Sequence, residues 1–357
     1  MCLTGHVLIR FRLFIILSIT KYSIRETIFS PCHSLIPMAP KAVNSILDVI
    51  GNTPMVKLQR VVPKNSAEIY TKLEYLNPSG SYKDRIALEM IRSAEAEGKL
   101  KPGYTIVEAS TGNTGTAFSF VGACLGYNVE IYMPEGMTRE RIKIMESYGA
   151  IVHEMKIEGL DSRGSVAGAE AEFIPRKKCL ELESSNPKIW WARQFSNPAN
   201  WSAHIVTGNE ILEQMNGKVD AFVASIGVGG TLYGVAKALK TKLPKCKIIG
   251  LEPASAKYAI SSGLTSPPGI SKEIAGGIIE EMMESGLIDE VVKITNEDAI
   301  KTSDRLVREE GLFCGISAGA NVYHSLKVAE ELGNGKRVVT VLPDSRDRYL
   351  SEKKYTT

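Results

Sequence analysis

The chain has 357 residues, 44% hydrophobic and 23% charged, a balance ordinary for a globular protein of about two domains. Its 43 basic and 40 acidic residues leave a net charge of +3, too little to mark a nucleic acid or an anionic membrane as a partner. Six cysteines (Cys2, Cys32, Cys124, Cys179, Cys246, Cys314) form no Cys-x-x-Cys pair, which excludes an evident disulfide framework or zinc site and implies a reducing compartment with no metal.

Residues 1–37 carry Arg10, Arg12, Lys21 and Arg25 against Glu26 alone, so the whole net charge sits in this leader. Its apolar run from Val7 to Ile19 is interrupted by Arg10 and Arg12 and is shorter than the roughly 20 residues of a spanning helix, so no membrane segment is expected. Three origins compete: a transit peptide, a secretory signal, and sequence upstream of a start at Met38, where Met-Ala-Pro-Lys reads as the opening of a cytosolic chain. The expected location is cytoplasmic, or mitochondrial if the leader is a transit peptide.

From Ile46 onward, short apolar runs alternate with helical stretches, the pattern of an α/β fold with parallel sheets. Strands are expected at Ile69 to Leu73, Thr105 to Glu108, Asn128 to Met133, Ile151 to Glu154, Ala221 to Ser225, Lys247 to Leu251, Glu290 to Ile294 and Arg337 to Leu342. Between the first two, Ile86, Met90, Ile91 and Ala94 recur at helical spacing, predicting a helix from Lys83 to Glu97 that ends at Gly98. Glu158 to Asn186, rich in charge, Ser and Gly, reads as a helix with long polar flanks.

Three strand-to-helix junctions concentrate Gly, Ser, Thr and Asn, and in parallel α/β sheets such junctions face the ligand. The first is Glu108-Ala-Ser-Thr-Gly-Asn-Thr-Gly115, the second Ser225-Ile-Gly-Val-Gly-Gly-Thr231, the third Phe313-Cys-Gly-Ile-Ser-Ala-Gly319. In the second, an apolar strand runs into glycines and a helix from about Leu232, so backbone N–H groups and the helix dipole face one point, favouring an anion site over a turn that needs glycine only for steric reasons. Leu232 stands where a dinucleotide site has its third glycine, and no Gly-Lys-Ser/Thr triphosphate loop occurs. The first junction, with Ser110, Thr111, Asn113 and Thr114, suits a small carboxylate, or is a capped polar turn. Lys83, in Asn77-Pro-Ser-Gly-Ser-Tyr-Lys-Asp-Arg85, enters a helix where the dipole disfavours its protonated form, which would make it a nucleophile toward an aldehyde; taken alone it would be a solvated surface lysine.

Together these motifs resemble the fold-type II pyridoxal-5'-phosphate (PLP) enzymes, specifically the cysteine synthase (O-acetylserine sulfhydrylase) and cystathionine β-synthase group. The likeness runs from Ile46-Leu-Asp-Val-Ile-Gly-Asn-Thr-Pro54 to Leu342-Pro-Asp-Ser-Arg-Asp-Arg-Tyr349. It implies a tryptophan synthase β-like α/β fold: two domains, each a mainly parallel twisted sheet covered by helices. The large PLP-binding domain is expected at 38–86 plus 199–357, and a small substrate-binding domain at 87–198.

By the same resemblance, Lys83 forms the Schiff base with the cofactor and serves as base and acid at the substrate α-carbon. Asn113 meets the ring oxygen. Gly227, Val228, Gly229, Gly230 and Thr231 hold the phosphate, and Ser317 faces the pyridine nitrogen. Ser110, Thr111, Gly112, Asn113 and Thr114, assisted by Gln194 of Gln-Phe-Ser-Asn-Pro-Ala-Asn200, grip the substrate carboxylate. A neutral serine does not stabilise a protonated pyridine nitrogen, which favours β-elimination and β-replacement over transamination. The implied partners are an amino-acid substrate and sulfide, a thiol or cyanide, in a homodimer.

Four departures mark the chain. Val228 stands where many members have threonine, and Ala-Ser-Thr-Gly replaces Pro-Thr-Ser-Gly in the first loop. A Gly-Ile-Gly-Ala-Gly-Phe segment survives only as Ile274-Ala-Gly-Gly-Ile-Ile279, and Arg346 replaces a glycine. The leading expectation is cysteine synthase, with cyanoalanine synthesis as a further activity. Alternatives are a cystathionine β-synthase lacking a C-terminal regulatory module, and a non-catalytic PLP-binding sensor for a partner's C-terminus.

Overall fold

The computed structural model describes residues 42–156, 170–255, 260 and 272–351; the leader and the first part of the Glu158 to Asn186 stretch lie outside the described residues. Its strands are β1 (Met55–Lys57), β2 (Glu68–Lys72), β3 (Thr105–Ala109), β4 (Asn128–Pro134), β5 (Ile151–Met155), β6 (Ile189–Trp191), β7 (Ala221–Ser225), β8 (Lys247–Pro253), β9 (Glu290–Ile294) and β10 (Arg337–Val341). The helices are α1 (Lys83–Ala96), α2 (Asn113–Leu125), α3 (Arg139–Ser147), α4 (Glu170–Ser185), α5 (Ala199–Gln214), α6 (Gly230–Lys242), α7 (Lys272–Ala275), α8 (Ile278–Glu284), α9 (Asn296–Arg305) and α10 (Ile316–Leu332).

Two sheets form, one ordered β1-β2-β10-β7-β8-β9 and the other β5-β4-β3-β6. All their pairings are parallel except β1 with β2. The central strands are apolar on both faces because helices cover both. In the larger sheet Ala221, Val223, Ile249 and Val338 pack into one cluster, while the alternating Phe222, Ala224, Ile248 and Val339 pack into another on the opposite face. The smaller sheet repeats the arrangement, with Ile106, Ile131 and Met133 toward α1 and α2, and Val107, Tyr132 and Trp191 toward α4.

A buried charge network anchors the start of α1. Arg85 bridges Glu74 and Glu210, each at 2.7 Å, and Lys72 of β2 reaches Glu210 at 2.8 Å. Burial alone would raise the Glu210 carboxyl, but the hydrogen bonds and charge of Arg85, then those of Lys72, outweigh it and hold it at about 2. The network ties α1, β2 and α5 together just beyond Lys83.

Candidate active site

Lys83 is the first residue of α1, and its backbone N–H lies 3.3 Å from the Ser81 hydroxyl. The loop before it is clamped to the exit of β10: Tyr82 N–H donates to Pro343 O at 3.0 Å, and Ser345 N–H to Gly80 O at 3.1 Å. The β10 exit in turn accepts Gly315 N–H at Asp344 O, 2.9 Å, just ahead of α10. One strand end therefore positions both the lysine and the loop that carries Ser317. The Lys83 ammonium lies over the Tyr82 ring, 4.7 Å from its centroid.

The second glycine loop follows β7. Gly229 adopts φ +93°, a left-handed conformation that turns the chain, and α6 begins at Gly230, two residues earlier than expected from sequence. No side chain caps this helix, so its first-turn amides point at the space beyond the strand ends. The loop is packed from behind: a Cβ on Gly230 would lie 1.9 Å from Asn200 Oδ1, and one on Gly229 would meet Ile279 at 3.3 Å. A Cβ on Gly227 would meet no protein atom within 4 Å. Val228 packs beside Phe195, Gly276 and Ile279, so the Ile274 to Ile279 segment lies against the loop. Gly277 and Ile278 donate their N–H groups to Phe195 O, the neighbour of Gln194.

A cavity of about 270 Å³ opens beside this loop, lined by Tyr82, Gly227, Leu251, Asn296, Ser317 and Ala320 among others. Tyr82 is hydrogen-bonded to Thr231, which is buried next to His204. An uncapped helix N-terminus beside a cavity that Tyr82, Ser225, Thr295 and Ser317 line with neutral hydroxyls is a fitting seat for a phosphorylated aromatic ring such as PLP.

The first loop caps itself. Ser110 Oγ accepts N–H groups from Gly112 at 3.2 Å and Gly115 at 2.9 Å. Thr114 Oγ1 donates to Gln194 Oε1 at 2.7 Å, and Gln194 Nε2 donates to Ala109 O at 2.8 Å, so Gln194 joins the loop across 80 residues of sequence. Thr111 carries an Arg141 guanidinium on its carbonyl at 3.3 Å. Beneath the loop, burial pushes the Glu108 carboxyl up to about 7 against opposing bonds from Gln194 N–H, Ala109 N–H and Trp191.

Asn113 does not present a free amide. Its Nδ2 donates to Asp344 Oδ2 at 2.7 Å and its Oδ1 accepts from Arg348. Arg348 also donates to Ser79 O, and the Tyr349 hydroxyl donates to Asp344. Arg346, the substitute for glycine, is buried and pairs with Asp304, with Ser303 Oγ at 3.4 Å. Sequence reasoning passed over Asn200, His204 and Asp344; the spacing of Asn200 and His204, one helical turn apart, was the available signal for the first two.

A family model described as pyridoxal-phosphate dependent enzyme matches residues 46–344. Over 321 residues the chain is 44% identical to a cysteine synthase of Staphylococcus aureus, covering 89% of this chain and 99% of that one. Among solved structures it resembles a cysteine synthase from Entamoeba histolytica, with 35% identity, TM-score 0.77, and 90% and 94% of the two chains covered. It also resembles O-ureido-L-serine synthase, with 38% identity, TM-score 0.75, and 88% and 96% covered.

Proposed function

Because the chain belongs to the pyridoxal-phosphate dependent enzyme family, we propose that it is a cysteine synthase-like enzyme replacing the β-substituent of an L-serine derivative, most simply the acetate of O-acetylserine by sulfide. The single observation that carries this reading is convergence. The residue before Lys83, the glycine loop and Ser317 line one cavity, and the Ser110 loop is tied to α10's neighbouring strand exit through Asn113 and Asp344.

PLP, when bound, supplies an electron sink for negative charge at the substrate α-carbon. Lys83, the first residue of α1, would hold PLP through its Nζ, and that amine, once released from the cofactor by the incoming amino acid, would take and return the proton at the substrate α-carbon. Gly227, Val228, Gly229, Gly230 and Thr231 would hold the phosphate through the amides opening α6. Ser317, on the wall of the cavity, would offer the ring nitrogen a neutral partner, which disfavours transamination. Backbone N–H groups of Thr111, Asn113 and Thr114 would receive the substrate carboxylate, while Ser110, which already accepts the Gly112 and Gly115 N–H groups, and Gln194 hold that loop in shape. Asn113, anchored on Asp344 and Arg348, would offer its remaining amide hydrogen to the ring oxygen.

The proposal extends to organisation. Residues 38–86 and 199–357 form the large domain and 87–198 the small one, each around one of the two sheets, in a homodimer. Cytoplasmic placement is supported by the free thiols of Cys124, Cys179, Cys246 and Cys314. No helix among the described residues is long and apolar enough to cross a membrane.

The test is product analysis with the purified protein, using O-acetylserine plus sulfide, cysteine plus cyanide, and serine plus homocysteine. Cysteine formation in the first incubation is expected. Turnover only in the third would move the reading to cystathionine synthesis, and no turnover in any would overturn the enzymatic reading.

A further inference from the structure

One face of α5 backs both ligand loops. Asn200 Nδ2 donates to Gln194 O at 2.6 Å, and its Oδ1 fills the space behind Gly230. One turn later His204, 1% exposed, places Nε2 at 3.1 Å from Thr231 Oγ1 and Nδ1 at 3.2 Å from Thr207 Oγ1. Its ring is tilted against Tyr82 with centroids 5.5 Å apart, and Tyr82 is itself hydrogen-bonded to Thr231. Burial, then the charges of Arg85 and Lys83, press the imidazole well below its ordinary range, so it is neutral and carries one N–H.

We propose that His204 is a positioning residue for the cofactor phosphate: Thr207 donates its hydroxyl to Nδ1, Nε2–H donates to Thr231 Oγ1, and the Thr231 hydroxyl proton is thereby left to donate to a phosphate oxygen. The assignment rests on the reading of the glycine loop as the PLP phosphate site.

Proton counting supports it. A threonine hydroxyl has one proton and two acceptor sites. Donation from His204 Nε2–H occupies an acceptor site of Thr231 and leaves its proton for a ligand that can only accept. The opposite tautomer reverses this. A bare Nε2 takes the Thr231 proton, and the threonine then turns lone pairs toward an anion. In the first arrangement Nδ1 accepts from the Thr207 hydroxyl, 3.2 Å away, so both ring nitrogens find a partner.

Two experiments on the full-length holoenzyme test this. In the wild-type protein, long-range proton–nitrogen correlation NMR of the His204 ring is expected to show a neutral Nε2–H tautomer; an Nδ1–H tautomer or an imidazolium overturns the proposal whether or not any variant folds. Among variants, His204→Phe removes the donor, while His204→Gln returns an amide N–H near the same place. His204→Phe is expected to release PLP about tenfold more readily, the scale of one weakened hydrogen bond to a charged group, and to move the phosphorus-31 resonance of bound PLP. His204→Gln should restore both readouts, and on a Thr231→Ala background His204→Phe should add nothing. Loss of PLP in Thr231→Ala with none in His204→Phe overturns this proposal alone. Unchanged PLP binding in Thr231→Ala overturns the phosphate-loop reading and the proposal with it.

Discussion

The glycine loop offers a paired perturbation that separates space reserved for the protein from space reserved for the cofactor. At Gly230 an added methyl would sit 1.9 Å from Asn200 Oδ1 and 2.9 Å from Asn200 Cγ. Asn200 is not able to swing aside freely, because its Nδ2 holds Gln194 O at 2.6 Å and Gln194 in turn holds Thr114 at 2.7 Å. Overpacking of this kind costs about 1–3 kcal/mol, so Gly230→Ala should lower the unfolding free energy by that amount without cofactor, and weaken PLP binding as well. At Gly227 the methyl would meet no protein atom within 4 Å and no left-handed φ is involved. Gly227→Ala should therefore leave apoprotein stability within about 0.5 kcal/mol of wild type while weakening PLP, because the methyl enters the cofactor's space. Urea unfolding of the apoproteins and equilibrium dialysis against PLP read the two effects. The reasoning is refuted if Gly230→Ala is as stable as wild type, or if Gly227→Ala binds PLP as wild type does.

Other predictions concern groups around the site. Glu210, held at about 2 from an ordinary 4.5, contributes about 3 kcal/mol that is present above pH 4.5 and lost as pH falls toward 2. Glu210→Gln should flatten that acid limb in urea titrations, and by leaving the buried Lys72 without its carboxylate while Arg85 keeps Glu74 should destabilise the neutral-pH protein by about 3–5 kcal/mol. Glu108, raised from 4.5 to about 7, has the opposite sign: its contribution is complete below pH 4.5 and is lost as pH rises through 7. Isotope-edited infrared titration should find its carboxyl midpoint near 7 in the folded protein; a midpoint near 4.5 contradicts its burial. Arg346→Gly should cost about 1–3 kcal/mol of unfolding free energy through loss of the Asp304 pair, and an unchanged unfolding midpoint would contradict the contact.

Much of the fold was legible because the central strands are apolar on both faces. β7 and β9 fall on the expected residues, and the expected β2, β3, β4, β5, β8 and β10 differ from the observed bounds by one or two. The omissions were β1 and β6, edge strands of three residues each, too short to show alternation or a continuous apolar run. The helix after β7 starts at Gly230 rather than Leu232 because Gly229 completes the turn in one left-handed step.

At the site, residue types at strand ends pointed to an anion seat, and a lysine at a helix start pointed to an amine. Pairings across the chain left no local trace. Gln194 with Thr114, Asn113 with Asp344, and His204 with Thr231 are made by packing of α5 and the β10 exit against loops distant in sequence. The alternation that locates a strand carries no information about which hydroxyl a buried imidazole meets.

The central claim is tested most directly by reducing the PLP-loaded protein with borohydride and mapping the modified peptide by mass spectrometry. A phosphopyridoxyl group on Lys83, absent from Lys83→Ala, is the expected result. A group fixed to another lysine, or none fixed at all, would contradict the account.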